Sequence, residues 1–174
     1  MGQVSVLVRR MSEDDIDGMR DLWLELVSEY GGDELEYDGA AEEMWRRAMR
    51  ASLSREDLRV LVAESSDDGS IVGYVFYTIT KSPLRSRYDD HVYISDMVVR
   101  SDARRAGIAS ALLKGLLEDL GTGRHRVYLR VPAGNVTAVS FYEKNGFRIS
   151  EYVMELSAGA ERSDSGSPRG NSGA

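Results

Sequence analysis

Residues 94–110 read I-S-D-M-V-V-R-S-D-A-R-R-A-G-I-A-S, and this stretch decides the fold. It begins as an apolar strand that contains Met97, Val98 and Val99, passes through a polar turn, and ends as the start of a helix. The leucines that follow, from Leu112 to Leu120, recur at helical spacing. A helix N-terminus presents backbone N–H groups without intrahelical partners and a partial positive charge, and both favour a bound phosphate. The stretch therefore predicts a strand, turn and helix that can bind an anion.

The side chains of the turn suit the same purpose. Gly107 and Ala109 have little or no side chain, so a ligand can approach the backbone closely. Arg104 and Arg105 can add side-chain charge at the same place. An ordinary basic turn before an amphipathic helix has the same composition, so the turn alone does not decide between the two interpretations.

A second segment makes a family resemblance specific. The run R104-x-x-G107-x-A109 resembles the acetyl-coenzyme A signature Q/R-x-x-G-x-G/A of the GNAT acetyltransferase superfamily. Downstream, N135-V-T-A-V-S-F-Y142-E-K-N-G146-F147 is similar to the family segment N-x-x-A-x-x-F-Y-E-K-x-G-F. The resemblance covers about Val4 to Leu156 in layout, although its specific motifs lie only in Tyr93–Phe147. It implies a single N-acetyltransferase domain over residues 1–156.

The resemblance implies acetyl-CoA as the co-substrate and assigns its site. In the family, the turn binds the pyrophosphate, and the preceding strand pairs through its backbone with the pantetheine arm. The central parallel strands splay, often at a bulge, and here the gap would lie between His91–Val99 and Arg126–Val131. Asn135 would bind pantetheine or cap the last helix. The cofactor residues implied are Met97, Val98, Val99, Arg104, Arg105, Ala106, Gly107, Ile108, Ala109, Ser110 and Asn135.

The resemblance assigns the general acid more clearly than the general base. Tyr142 resembles the family's general acid, which protonates the departing thiolate, whereas a half-buried structural tyrosine is the plain alternative. Related members carry a Glu base two residues before the pantetheine-binding strand segment, where this chain has Ser95. Asp96 is adjacent, but it points to the opposite face if the strand is regular, and a bulge would change that. Asp96 acting through water, the absence of a dedicated base, and a structural role for Asp96 all remain open.

The acceptor site is predicted from charge. In this family the loop between the first two helices walls the acceptor pocket, and between Arg20 and Arg46 this chain has several acids and no basic residue. Such a rim would attract a cationic amine, for example a polyamine, an aminated small molecule or a peptide amine. A solvated loop in an acidic protein is the alternative. The candidate acceptor contacts are Tyr30, Glu34, Tyr37 and Ser95.

Composition narrows the class of protein. A chain of 174 residues suits one domain, and its net charge of −7 argues against a nucleic-acid surface. No run of 18 apolar residues is present to span a membrane, no signal peptide is recognised, and the chain has no Cys, so we expect a cytoplasmic protein. The sequence shows no metal-ligand cluster. Residues 157–174, which are rich in Ser and Gly, are predicted to be a disordered tail.

The order of elements predicts the fold class. Antiparallel strands come first and a β-α-β-α-β pattern follows, which indicates an α/β (α+β) domain with helices on both faces of one sheet. The resemblance implies a mixed, mostly antiparallel sheet of six to seven strands, four helices and a splayed central parallel pair. The last strand or strand pair is predicted in Gly146–Leu156.

Three functions are compatible with these features. The first is N-acetylation of a primary amine by direct attack on acetyl-CoA in a ternary complex. The second is a non-catalytic acyl-CoA-binding regulatory module on the same fold, which only the Ser95 departure favours. The third is a purely structural domain, which predicts no CoA binding. Homodimers are common among similar proteins, so the resemblance also allows a homodimer.

Overall fold

The computed structural model describes residues 5–30, 39–82, 87–154 and 156. Within these ranges, no helix has the length and apolar character needed to cross a membrane. The predicted acceptor residues Glu34 and Tyr37 and the predicted tail lie outside the described residues.

The described elements alternate in an order close to the predicted one. The strands are β1 (Val6–Arg10), β2 (Leu58–Ser65), β3 (Ile71–Lys81), β4 (Asp90–Val99) and β5 (His125–Leu129). The helices are α1 (Asp15–Tyr30), α2 (Gly39–Ser52), α3 (Ile108–Leu120) and α4 (Val136–Lys144), and a short 3-10 turn at Ser101–Ala103 precedes α3.

One sheet joins the five described strands in the order β1-β2-β3-β4-β5. The first three pairings are antiparallel, and β4 and β5 are parallel. The prediction of a mixed, mostly antiparallel sheet with a parallel pair and four helices is therefore confirmed. The predicted count of six to seven strands was too high for the described residues.

The difference in strand count lies after α4. Residues 147–154 form no strand, and the large apolar side chains of Ile149, Tyr152 and Met154 are exposed. The described link to β5 in this segment is a side-chain ion pair of 2.8 Å between Arg126 and Glu151. An apolar segment becomes a strand only where its backbone finds a ladder partner, and the prediction from sequence had no means of testing for one.

Helices cover the sheet on both faces. On one face, α3 buries Leu112, Leu113 and Leu116 against the strands, as its helical spacing predicts. On the other face, α1 and α2 form an apolar layer in which the rings of Trp23 and Trp45 stack with centroids 5.3 Å apart. The part of the sheet that contains the quoted stretch therefore lies between two helical layers.

A bulge interrupts β4 near the middle of the strand. Ile94 pairs with Tyr77 of β3 and Asp96 pairs with Phe76, so Ser95 is an extra residue without a partner. The extra residue reverses the alternation of side chains along the strand. Ile94 consequently packs with α3, whereas Asp96 lies on the face that α1 and α2 cover.

Candidate functional site

The edge of β4 opens next to β5. The two strands pair in parallel up to Ile94 and Leu129, and there the pairing ends while β4 runs on to Val99. The backbone of β4 beyond the bulge is therefore paired with β3 on one side and is free of β5 on the other. The sequence predicts a gap between the two parallel strands at this place, and the end of the pairing after Ile94 agrees with that position, whereas the splay itself stays a prediction. An extended polar chain could add to this edge as a further strand.

The turn after β4 carries a set of unpaired backbone donors. Arg105 and Gly107 both have left-handed backbone, with φ of 65° and 86°. Gly107 is the N-cap of α3 and makes no side-chain cap. The backbone N–H groups of residues 105–110 donate no hydrogen bond to any other described residue. A left-handed turn at the positive end of a helix, with backbone N–H groups that have no described partner, can bind an anion.

The two arginines of the turn are placed differently. The Arg104 Nε donates to the Val99 carbonyl oxygen at 3.0 Å, and its Nη2 lies 2.5 Å from Glu29 Oε1 on α1. Arg104 therefore fastens the turn to the end of β4 and to α1. The Arg105 side chain is exposed and has no hydrogen bond or ion pair with another described residue, so its guanidinium is available to an anion at the turn.

The side chains of the first α3 residues serve the core. Ala106 and Ile108 pack in the α3 layer, and Ile108 is fully buried. Ala109 is half-buried and Ser110 is exposed. These residues can therefore contribute backbone donors to a ligand while the buried side chains fix the position of the turn.

The helix α4 begins at a well-made cap. The Asn135 side-chain oxygen accepts a hydrogen bond from the Ala138 N–H at 3.0 Å, so the capping role predicted for Asn135 is confirmed. Gly146 ends the helix with a φ of 87°, and the next N–H, that of Phe147, donates to the Tyr142 carbonyl at 3.0 Å. Binding of pantetheine by Asn135 stays a prediction.

Tyr142 faces the open part of β4. Its hydroxyl oxygen lies 3.9 Å from the Met97 sulfur. Phe141 and Phe147 contact its ring edge-on, with centroid distances of 5.1 and 5.3 Å. The aromatic contacts fix the ring, so the hydroxyl is held beside the strand segment that the sequence assigns to pantetheine.

Asp96 lies on the opposite side of the same strand segment. It is half-buried in the apolar layer of α1 and α2, and this burial raises the pKa of its carboxyl to about 6, although the Tyr74 hydroxyl opposes the rise. Tyr142 and Asp96 thus flank the open edge from its two faces. A group bound along that edge would meet a hydroxyl on one side and a titratable carboxyl on the other.

The predicted acceptor residues are only partly described. Ser95 is exposed at the bulge. Tyr30 is the last residue of α1, and its side chain is outside the description, as are Glu34 and Tyr37. Their roles stay predictions.

Tyr74 was missed by the sequence analysis. It has no motif and lies in an apolar strand, so nothing local distinguishes it from a core residue. Its relation to Asp96 depends on the pairing of β3 with β4 and on the bulge, which a single sequence does not show. Within the described ranges, no group of three or more His, Cys, Asp or Glu residues is placed to hold a metal ion.

Comparison with known proteins agrees with this geometry. The model of a family described as "Acetyltransferase (GNAT) family" matches residues 19–147. No curated protein matches the chain.

Several solved structures share the fold. A transcriptional regulator from Bacillus halodurans C-125 is 23% identical with a TM-score of 0.72, over 88% of this chain and 100% of that one. An acetyltransferase of Trypanosoma brucei is 24% identical with a TM-score of 0.64, over 88% of this chain and 100% of that one. An aminoglycoside N-acetyltransferase in complex with CoA is 17% identical with a TM-score of 0.69, over 91% of this chain and 97% of that one. At these identities the likeness concerns the fold.

Proposed function

The chain belongs to the GNAT acetyltransferase family, and from this premise we propose that it transfers an acetyl group from acetyl-CoA to a primary amine. One observation carries the proposal: the open edge of β4 leads directly into a turn whose backbone donors are unpaired. The two features suit the two ends of one ligand, because pantetheine is an extended chain of amides and it is joined to a pyrophosphate.

The residues present fit acetyl-CoA. The N–H groups of residues 105–110 would bind the pyrophosphate together with the Arg105 guanidinium. Met97, Val98 and Val99 would offer backbone groups to the pantetheine amides along the open edge. Arg104 would keep the turn in shape through the Val99 carbonyl and Glu29.

The proposed reaction is direct attack in a ternary complex. The amine nitrogen forms a bond to the thioester carbonyl carbon, the carbon–sulfur bond breaks, and the sulfur leaves with the bonding electron pair. Tyr142 would donate its proton, or a hydrogen bond, to the leaving thiolate. A phenol pKa of about 10 against a thiol pKa of about 8.5 makes the hydroxyl suitable as a hydrogen-bond donor while charge develops. Asp96 would accept the proton that the amine loses, directly or through one water molecule.

The pKa of Asp96 suits that second role. A carboxyl whose pKa is about 6 is ionised at neutral pH and is a stronger base than an ordinary Asp. It lies on the face of α1 and α2, opposite Tyr142. The acid and the base are therefore on separate sides of the bound thioester, and the acceptor would approach from the α1 and α2 side.

We propose that the acceptor is cationic. The sequence between Arg20 and Arg46 contains acids and no basic residue, and this segment connects the two helices on the acceptor side. An aminoglycoside acetyltransferase of the same fold has been solved with a bisubstrate analogue of CoA and acetylneamine. Replacement of Glu34 by Gln should raise the KM of a cationic amine and weaken its dependence on salt, while unchanged kinetics would contradict a cationic acceptor.

The test begins with acetyl-CoA binding. Isothermal titration should give micromolar binding of acetyl-CoA and of CoA to the wild-type protein. Gly107→Val should weaken binding at least about tenfold, because a β-branched side chain at positive φ distorts the turn. Gly69→Val is the matched control: Gly69 has a similar φ of 72° but lies in the turn before β3, far along the chain from the proposed site.

The outcomes separate the candidate functions. Binding followed by transfer to amines from a panel of polyamines, aminoglycosides and basic peptides supports the enzyme. Binding without transfer to any amine supports the regulatory module that the Ser95 departure favours. Absence of binding, or equal loss of binding in both glycine variants, contradicts the proposed cofactor site.

A further inference from the structure

The apolar layer under α1 and α2 contains two buried polar groups that the proposed reaction does not use. Tyr74 is 0% exposed and Trp45 is 6% exposed, and they are packed among aliphatic side chains such as Met19 and Met49. Neither the Tyr74 hydroxyl nor the Trp45 indole N–H has a well-formed hydrogen bond among the described residues. Buried donors are seldom left without partners, so their position needs an explanation.

The strand register points to Asp96 as the partner. Tyr74 pairs with Val98, and the next residue of β3 on the same face, Phe76, pairs with Asp96. Tyr74 is therefore diagonal to Asp96 across the two strands, a separation of about 7–8 Å between Cα atoms that an aromatic side chain can span. Because the bulge at Ser95 reverses the alternation, Asp96 lies on the Tyr74 face.

The three groups influence one another in a definite order. Burial, together with the nearby Asp96 carboxylate, raises the pKa of Tyr74 well above 10, so its hydroxyl keeps its proton at any working pH. The indole N–H of Trp45 can only donate, and it acts on the Tyr74 oxygen. The hydroxyl in turn acts on Asp96 and lowers its pKa against the larger effect of burial. The Tyr74 hydroxyl forms no regular hydrogen bond among the described residues, and hydrogen bonds at functional sites often tighten only when the substrate binds.

We propose that Tyr74, supported by Trp45, is a positioning residue that aims the Asp96 carboxylate at the acceptor amine and favours its ionised form. The inference rests on the proposed function, because it assumes that Asp96 is the base. Tyr74 does not touch the reacting atoms, and in this proposal its hydroxyl is placed to donate to Asp96 both before and after the amine proton arrives.

No other charge competes for this role in the described part of the chain. Burial and Tyr74 account for the shift of the Asp96 pKa. Two acids of the covering helices are engaged elsewhere. Glu25 of α1 accepts from the Ser101 N–H at 3.1 Å, and Glu42 of α2 pairs with Arg20 and Arg46 at 2.8 and 2.9 Å.

The experiment compares two tyrosines on one strand. Tyr74→Phe removes the hydroxyl that faces Asp96. Tyr77→Phe removes the hydroxyl of another tyrosine with no exposed surface, on the other face of β3, where that hydroxyl donates to Asp119 of α3. The readouts are the titration midpoint of the Asp96 carboxyl by carbon-13 NMR, assigned with Asp96→Asn, and the pH profile of kcat/KM. The NMR titration does not depend on activity, so it tests the pair even if acetyl transfer is not found.

The proposal expects a shift in one variant only. In Tyr74→Phe the Asp96 midpoint should rise by about one pH unit, as expected when a hydroxyl that favours the carboxylate form is removed. The value of kcat/KM should then fall about fivefold at pH 6 and hardly change at pH 8, because only the ionised fraction differs. Tyr77→Phe should leave both unchanged. An unchanged midpoint in Tyr74→Phe, or equal shifts in the two variants, would overturn the proposal.

Discussion

Replacement of Asp96 by Asn should stabilise the folded protein at neutral pH while it removes the proposed base. Burial raises the pKa of this carboxyl from 3.8 to about 6 in the folded state. The folded state therefore binds a proton more tightly than the unfolded chain does, and wild-type stability decreases as the pH rises from about 4 to about 6. The amide of Asn carries no charge and avoids this penalty at every pH.

The size of the effect follows from the two pKa values. A difference of about two units corresponds to about 3 kcal/mol at pH 8, where the folded wild type must hold a buried carboxylate. At pH 4.5 the unfolded chain has ionised only in part, and the same calculation gives about 1 kcal/mol. For a domain of this size, 3 kcal/mol corresponds to a rise in Tm of roughly 6–12 °C.

Urea unfolding of the wild type and of Asp96→Asn at pH 4.5 and pH 8 measures this difference. The gain in the free energy of unfolding should be larger at pH 8, and kcat/KM should be strongly reduced at both values. Asp67→Asn, in the exposed turn between β2 and β3, is the matched control and should show no dependence of this kind on pH. Equal pH dependence in Asp96→Asn and in the wild type would refute the argument, since it would mean that Asp96 ionises in the folded protein at no cost.

The other predictions concern the acid, the anion site and the stability of α1. Tyr142→Phe should lower kcat about 10²-fold and change the KM for acetyl-CoA much less, because in the proposed mechanism the hydroxyl acts on the leaving thiolate. Steady-state kinetics at saturating amine measure both constants, and an unchanged kcat would remove Tyr142 from catalysis. Arg105→Gln should raise the KM for acetyl-CoA about fivefold to tenfold at low salt and less at high salt, because the guanidinium charge is screened. Urea unfolding of this variant should be unchanged. An unchanged KM would mean that the Arg105 side chain does not bind acetyl-CoA. Asp15 is buried at the start of α1. Burial raises the pKa of its carboxyl, but the hydrogen bonds from Arg9 and Ser12 lower it by more, so the net pKa is below the ordinary value of 3.8. Asp15→Asn should therefore lower the free energy of unfolding by about 1–3 kcal/mol at pH 7, and this difference should shrink as the pH falls below 3.8 toward the lowered folded-state pKa; a difference that stays constant over this fall in pH would contradict this origin.

Local patterns were sufficient for much of the site. The turn between β4 and α3 and the cap at Asn135 follow from residue types at fixed spacing, and the structure has both. Other features depend on contacts between distant residues. The sequence predicts Arg104 as a phosphate ligand, and this role stays a prediction; the pairing of its guanidinium with Glu29, which is 75 positions away, could not be read from the turn itself. The final strand was wrong because alternation alone does not supply a ladder partner for residues 147–154.

The face of the sheet on which Asp96 lies could not be predicted from the sequence for a similar reason. The run from Ile94 to Val99 reads as a regular strand, and a regular strand would direct Asp96 toward α3 together with Ile94. Only the pairing with β3 reveals that Ser95 is an extra residue. A bulge depends on the register of two strands, so one strand read alone cannot show it.

The bulge also joins the two halves of the proposed site. Parallel pairing with β5 ends at Ile94, the residue immediately before Ser95, so the open edge begins where the strand is kinked. The same extra residue turns Asp96 away from the α3 core and toward the face that α1 and α2 cover. In a regular strand, Asp96 would enter the apolar layer that α3 covers, where a carboxylate would have no partner. One inserted residue therefore stands where the open edge proposed for the cofactor begins, and it also sets the face on which Asp96, the proposed base, lies.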